Sequence, residues 1–268
     1  MTWLTHPDAP LIRTLTEILS ASDGLESLFL GGSHGRGTAD AYSDIDLVAV
    51  ARPGDEKLLT EALRGGLPGS LEPVLWQVRF DVRLVNAITP QWRRIDLSLP
   101  AREHLLARAS NTLLPLHDPD GLHAMLAPPQ PLATPSPQRV SALTREFLRV
   151  LGLLHVGMGR KEWVLLVKGA GLLRDMLVDL MLEEVPEPEK GGILHLSRLL
   201  PTQDMAQLTA LPYPGPDRAE LLAAYTALAG AFLPRARSLH IALGLSWPEA
   251  FEAATRDLLR RELSLELP

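Results

Sequence analysis

The stretch Gly31-Gly32-Ser33-His34-Gly35-Arg36-Gly37-Thr38-Ala39-Asp40-Ala41-Tyr42-Ser43-Asp44-Ile45-Asp46-Leu47 decides how the rest of the chain is read. The apolar run Leu28-Phe29-Leu30 leads into it, and Leu47-Val48-Ala49-Val50 leads out. Short apolar runs joined by a glycine-rich connection read as strand, turn, short helix and strand. The spacing predicts strands over 25–31 and 43–50 and a short helix over 33–39. A turn of this kind lets backbone approach a partner closely, and a helix start offers unpaired N–H groups and a positive dipole end to an anion. Asp44 and Asp46 follow with Ile45 between them. Alternate side chains of a strand share a face, so both carboxylates point one way and Ile45 points into the core. Like charges held that close repel each other unless a cation lies between them. Hard oxygen ligands beside a phosphate cradle argue for Mg²⁺, which takes one or two carboxylates together with substrate phosphates.

Upstream, 10–20 reads as a helix with Leu11, Leu15, Ile18 and Leu19 on one face, ended by Asp23-Gly24. Downstream, 55–64 is helical and Gly65-Gly66-Leu67-Pro68-Gly69 stops it. Strands are expected over 74–80, 82–88 and 92–99, with Thr89-Pro90-Gln91 as a hairpin connection. Pro100 opens a helix, and 113–121 reads as an edge strand and turn. The segment 127–138 carries five prolines, which favour an extended spacer over a sheet. Beyond it leucine and alanine recur at helical spacing over 141–158, 161–183, 193–200, 217–233, 234–243 and 248–263. The expectation is an α+β protein: a domain over 1–126 with a mixed β-sheet flanked by helices, a proline-rich linker over 127–138, and an all-helical bundle over 139–268.

The central stretch resembles the signature of the nucleotidyltransferase superfamily that includes DNA polymerase beta. That signature is a strand ending in Gly-Ser, a spacer, Asp-x-Asp on the next strand, and later one more acid. Gly32-Ser33, Asp44 and Asp46 fill the first places, and Arg36-Gly37 and Tyr42-Ser43 resemble the small-molecule and minimal branch. The resemblance implies a nucleotidyltransferase fold in the first half of the chain and says little about the second.

A third carboxylate is then expected, and Asp81 and Asp96 are the candidates. Family members carry it on the second strand of a hairpin, soon followed by a proline and a helix. Asp96, with Pro100 close behind, fits that layout, whereas Asp81 reads as a turn residue. The ordinary reading of Asp96 is a strand residue paired with Arg83 or Arg94. By resemblance Asp44, Asp46 and Asp96 are the catalytic and metal-binding residues, with Mg²⁺, or Mn²⁺ in its place, as the cofactor. Asp96 would complete the metal site or take a proton from the incoming hydroxyl. Gly32, Ser33, Arg36, Ser43 and Lys168 are the nucleotide-binding candidates. Each also has an ordinary reading: a helix cap for Ser33, a surface ion pair for Arg36, a loop cap for Ser43, a solvated charge for Lys168. Arg174 is a further candidate for meeting a triphosphate. His34 is expected to be exposed on the turn, without a role.

The 268 residues, 46% of them hydrophobic, suffice for one large domain or two modest ones. The absence of cysteine excludes disulfides and thiolate metal sites. No signal peptide or long apolar span is visible, so no membrane partner is expected and the cytoplasm is the default. The net charge of −6 argues against a long nucleic acid, which a basic surface would hold, and suits a small acceptor. The resemblance implies transfer of a nucleoside monophosphate, AMP from ATP or the equivalent from another nucleoside triphosphate, to a hydroxyl of a small molecule. Transfer to a protein or a nucleic-acid end, or a non-catalytic nucleotide-binding or antitoxin-like module, are the alternatives.

Overall fold

The computed structural model describes residues 2–188, 190 and 196–268. The chain divides into two compact units, Met1–Gln130 and Pro131–Pro268.

The first unit is built on a six-stranded sheet. Its strands are β1 (Leu25–Leu30), β2 (Ile45–Ala51), β3 (Leu75–Arg79), β4 (Leu84–Ile88), β5 (Arg94–Ser98) and β6 (Leu114–His117). They lie in the order β3-β4-β5-β2-β1-β6. Within this sheet β2 and β5 pair in parallel and the other neighbouring strands antiparallel, so the sheet is mixed. Strand alternation sorts the side chains. Ile45, Leu47 and Ala49 of β2 enter one core with Leu28, Leu30, Val85, Ala87, Ile95 and Leu97. The helices α1 (Ala9–Ser20) and α3 (Glu56–Gly66) cover that face with Ile12, Leu15 and Leu19 from α1, and Leu59 and Leu63 from α3. Phe29, Val48 and Val50 belong to a second, smaller core with Leu105, Leu113, Leu122 and Leu126. Leu105 comes from α4 (Arg102–Leu106). Asp46 alternates with Ile45 and Leu47, on the side of Val48, beside this second core.

The central turn is tighter than its sequence suggests. Helix α2 spans Gly32–Gly35 rather than 33–39, and Asp44 lies one residue before β2 rather than within it. Two glycines make the turn possible. A Cβ on Gly35 would meet the carbonyl oxygens of Leu30 and Thr112 at 2.5 Å each, and a Cβ on Gly32 would collide with Asp46. Asp81 lies in the turn between β3 and β4, with Phe80, Asp81 and Val82 all at positive φ.

The second unit is helical: α5 (Pro137–Gly152), α6 (Leu154–Arg160), α7 (Trp163–Glu183), α8 (Leu196–Leu199), α9 (Thr202–Ala210), α10 (Arg218–Ala242) and α11 (Glu249–Leu263). Ser136 caps α5 by accepting from the Arg139 N–H, and Pro137 occupies its first turn. Phe147 of α5 stacks on Phe232 of α10, with ring centroids 3.8 Å apart, inside a core that also takes Leu173 and Leu177 of α7.

Three expectations about helices need correction. The expected helix over 141–158 is two helices, α5 and α6, meeting at Leu153. The expected break at Pro234 is absent, because α10 runs through it. A proline inside a helix costs about 3 kcal/mol, and α10 buries residues before and after it, from Leu221 to His240, which offsets that cost. Helix α9 was not expected at all. The helix expected over 193–200 is seen only as α8, since 191–195 lie outside the described residues.

Candidate active site

Asp46 and Asp96 face each other across the parallel pair β2–β5, directly in register. Asp44 joins them from the residue before β2, and one carboxylate oxygen from each of the three lies within 4.8 Å of the others. The sheet dictates this convergence. Parallel pairing places Ile45 opposite Ile95 in the core and thereby turns both aspartates to the same side. On the far side of β5, Asn86 of β4 pairs with Asp96 in register and donates its amide to Asp96 Oδ1 at 2.8 Å. Asp44 is held instead by Arg94, whose guanidinium lies 3.2 Å from its Oδ2.

Gly32, Arg36, Asp46, Leu84, Asp96 and Arg108 line a cavity of about 240 Å³. Burial, followed by the charges of Asp44 and Asp96, pushes the Asp46 carboxyl up to about 6, against the opposing pull of Arg36 and Arg108. Gly32 adopts φ +53, and a Cβ there would stand 1.6 Å from Asp46 Oδ2, so only glycine admits the carboxylate at this point. Ser33 is 5% exposed, and its hydroxyl has no hydrogen-bond partner among the described residues. The chemistry of this donor set fits a hard divalent cation. It offers three carboxylates without sulfur, one of them held against ionisation by burial and then by its neighbours.

The remaining candidates divide. Ser43 closes the loop before β2, accepting from the Asp40 N–H at 3.0 Å and donating to Asp40 Oδ1 at 3.2 Å. Lys168 is exposed on α7, in the second unit. Arg174 is committed within its own unit. It donates to the carbonyls of Leu208, Leu211 and Pro212 and lies 3.7 Å over the Tyr213 ring. The expectation of an exposed His34 is wrong, because that residue is 2% exposed and packs edge-on against His6. The turn that carries it is folded inward on the first residues of the chain, where His6 Nε2 bonds the Asp40 carbonyl at 2.8 Å.

Sequence reasoning missed Asn86 and Arg108. The hairpin register could have found Asn86, since the Thr89–Arg93 turn places it opposite Asp96. No local signal marks Arg108, which reaches the cavity from just after α4.

The mixed sheet thus presents three acids beside a glycine–serine turn. Residues 12–98 match the family model of the nucleotidyltransferase domain, and they lie within the first unit. The match spans about a third of the chain and contains Gly32, Ser33, Asp44, Asp46, Asn86 and Asp96. No curated protein matches the sequence. Among solved structures, an aminoglycoside 6-adenyltransferase from Bacillus subtilis superposes with a TM-score of 0.43 at 13% identity, covering 92% of this chain and 95% of that one. A likeness of that degree decides nothing about substrate.

Proposed function

We propose that the protein transfers a nucleoside monophosphate from a nucleoside triphosphate to a hydroxyl of a small molecule and releases pyrophosphate. The observation that carries this reading is the convergence of Asp44, Asp46 and Asp96 within 4.8 Å. The cavity beside them, with Gly32, Arg36 and Arg108 in its wall, supports it.

Asp44, Asp46 and Asp96 would hold Mg²⁺, or Mn²⁺ in its place. The bound cation supplies charge neutralisation for the polyphosphate. Ser33 carries a buried hydroxyl without a hydrogen-bond partner among the described residues, and the resemblance supports it as a phosphate contact. Arg36 and Arg108 bring positive charge to the Asp46 side of the cavity and would offset the triphosphate. Asn86 fixes the Asp96 carboxylate by one oxygen, leaving the other to take the proton of the acceptor hydroxyl. The acceptor's own oxygen, its proton now on Asp96, would form the bond to the α-phosphorus as the bond to pyrophosphate breaks. ATP is the proposed donor on resemblance alone. The net charge of −6 supports a small acceptor over a nucleic acid. Ser43 is proposed as a loop brace for Asp44 rather than a nucleotide contact, given its bonds to Asp40.

The test is incubation with α-labelled ATP, Mg²⁺ and a panel of aminoglycosides, lincosamides, proteins and oligonucleotides. Label on a small molecule, with stoichiometric pyrophosphate and none from Asp46→Asn, is expected. Label only on protein or oligonucleotide would replace the acceptor class. Pyrophosphate release no greater than that of Asp46→Asn with every acceptor would overturn the reading.

A further inference from the structure

We propose that His6, Asp8 and His34 form a second metal site, for one borderline transition-metal ion of the Zn²⁺ type, separate from the three aspartates. One ligand atom from each of the three residues lies within 4.8 Å of the others. They come from distant parts of the chain: His6 and Asp8 from the segment leading into α1, His34 from the turn of α2.

His34 gives the independent sign that something belongs there. It is 2% exposed, and neither of its ring nitrogens has a hydrogen-bond partner among the described residues. An imidazole needs a donor on one lone pair and an acceptor on its N–H, and an interior site that provides neither is costly. A metal ion takes the lone pair directly. Asp8 is 5% exposed and supplies a carboxylate.

The outer contacts of the other two ligands match those of ligating side chains. His6 Nε2 lies 2.8 Å from the Asp40 carbonyl oxygen, so it carries the proton and leaves the lone pair on Nδ1. Nδ1 stands 3.5 Å from Asp8 Oδ2. The same lone pair accepts the Asp8 N–H at a long 3.2 Å, a contact the ion would replace. Asp8 is braced in turn by the Arg93 guanidinium, as ligating carboxylates commonly are. Two imidazoles and one carboxylate select an ion such as Zn²⁺ over Mg²⁺ or Ca²⁺, which prefer oxygen alone. Three protein ligands leave a fourth position for water. An ion at this point would tie the start of the chain to the residue next to Ser33, and so stiffen the turn at the active site.

The test uses the full chain carrying Asp44→Asn and Asp46→Asn, so that the aspartate trio contributes nothing, in excess Mg²⁺. Equilibrium dialysis against micromolar Zn²⁺ with elemental analysis should find one Zn²⁺ per chain, and Co²⁺ in its place should give visible ligand-field bands. His34→Gln and His6→Asn should each lower the stoichiometry to none and remove the rise in melting temperature that Zn²⁺ produces. His6 is the less buried of the two, so His6→Asn decides the matter if His34→Gln does not fold. No Zn²⁺ retained by the parent chain, or a full equivalent retained by a folded His6→Asn chain, would overturn the proposal.

Discussion

Asp46 ionises against its surroundings, and the consequence can be measured. Its carboxyl is raised to about 6 by burial and by two neighbouring carboxylates. A raised acid contributes its full share of stability below its unfolded value, near pH 4, and loses it as the pH climbs through 6. The metal-free protein should therefore weaken between pH 4 and pH 7 by something on the order of 2 kcal/mol from this group. Asp46→Asn removes the penalty. Without metal its melting temperature should match the wild type near pH 4 and exceed it by several degrees at pH 7.5, and a gap that stays constant with pH would refute the assignment. Gly32→Ala places a methyl group on the Asp46 carboxylate, so pyrophosphate release should fall by about 100-fold or more. Asn86→Ala frees Asp96 to rotate. We expect kcat to drop by about tenfold with little change in the KM for nucleotide, as steady-state assays would read.

At the scale of elements, the sequence makes some features plain and hides others for physical reasons. The Gly-Ser turn and the Asp-x-Asp pair are local, so residue spacing alone marks them. Asp96 is legible because a short hairpin fixes which residues of β4 and β5 face each other, and Asn86 follows from the same register. The burial of His34 is not legible, because it depends on His6 meeting Asp40, 34 residues away. Arg108 is hidden for the same reason: its approach to Asp46 is set by how α4 packs on the sheet. Pro234 misleads because local propensity breaks helices at proline, while the packed faces of α10 hold this one together. Its ring denies the Gly230 carbonyl an N–H partner. Pro234→Ala should restore that bond and raise the melting temperature by a few degrees, whereas a fall would show that the proline ring itself packs favourably.

For the molecule as a whole, composition restricts the class of substrate more than it identifies one. The two units have separate cores. The first carries a domain recognisable from its sequence, and the second is a helical assembly whose pattern of leucine and alanine specifies packing. Arg174 illustrates the point, since its charge is spent on three carbonyls and a tyrosine ring inside its own unit. Arg174→Ala should cost about 1–3 kcal/mol of stability and leave nucleotide affinity unchanged. Thermal melts and nucleotide titration check the two halves of that statement.

The central claim is that the three aspartates hold a divalent cation together with a polyphosphate. Electron paramagnetic resonance of Mn²⁺, titrated into the protein with a non-hydrolysable ATP analogue, tests it most directly. The wild type should sequester Mn²⁺ only when the nucleotide is present, and Asp44→Asn and Asp46→Asn should lose that uptake. Equal uptake by Asp46→Asn would contradict the account.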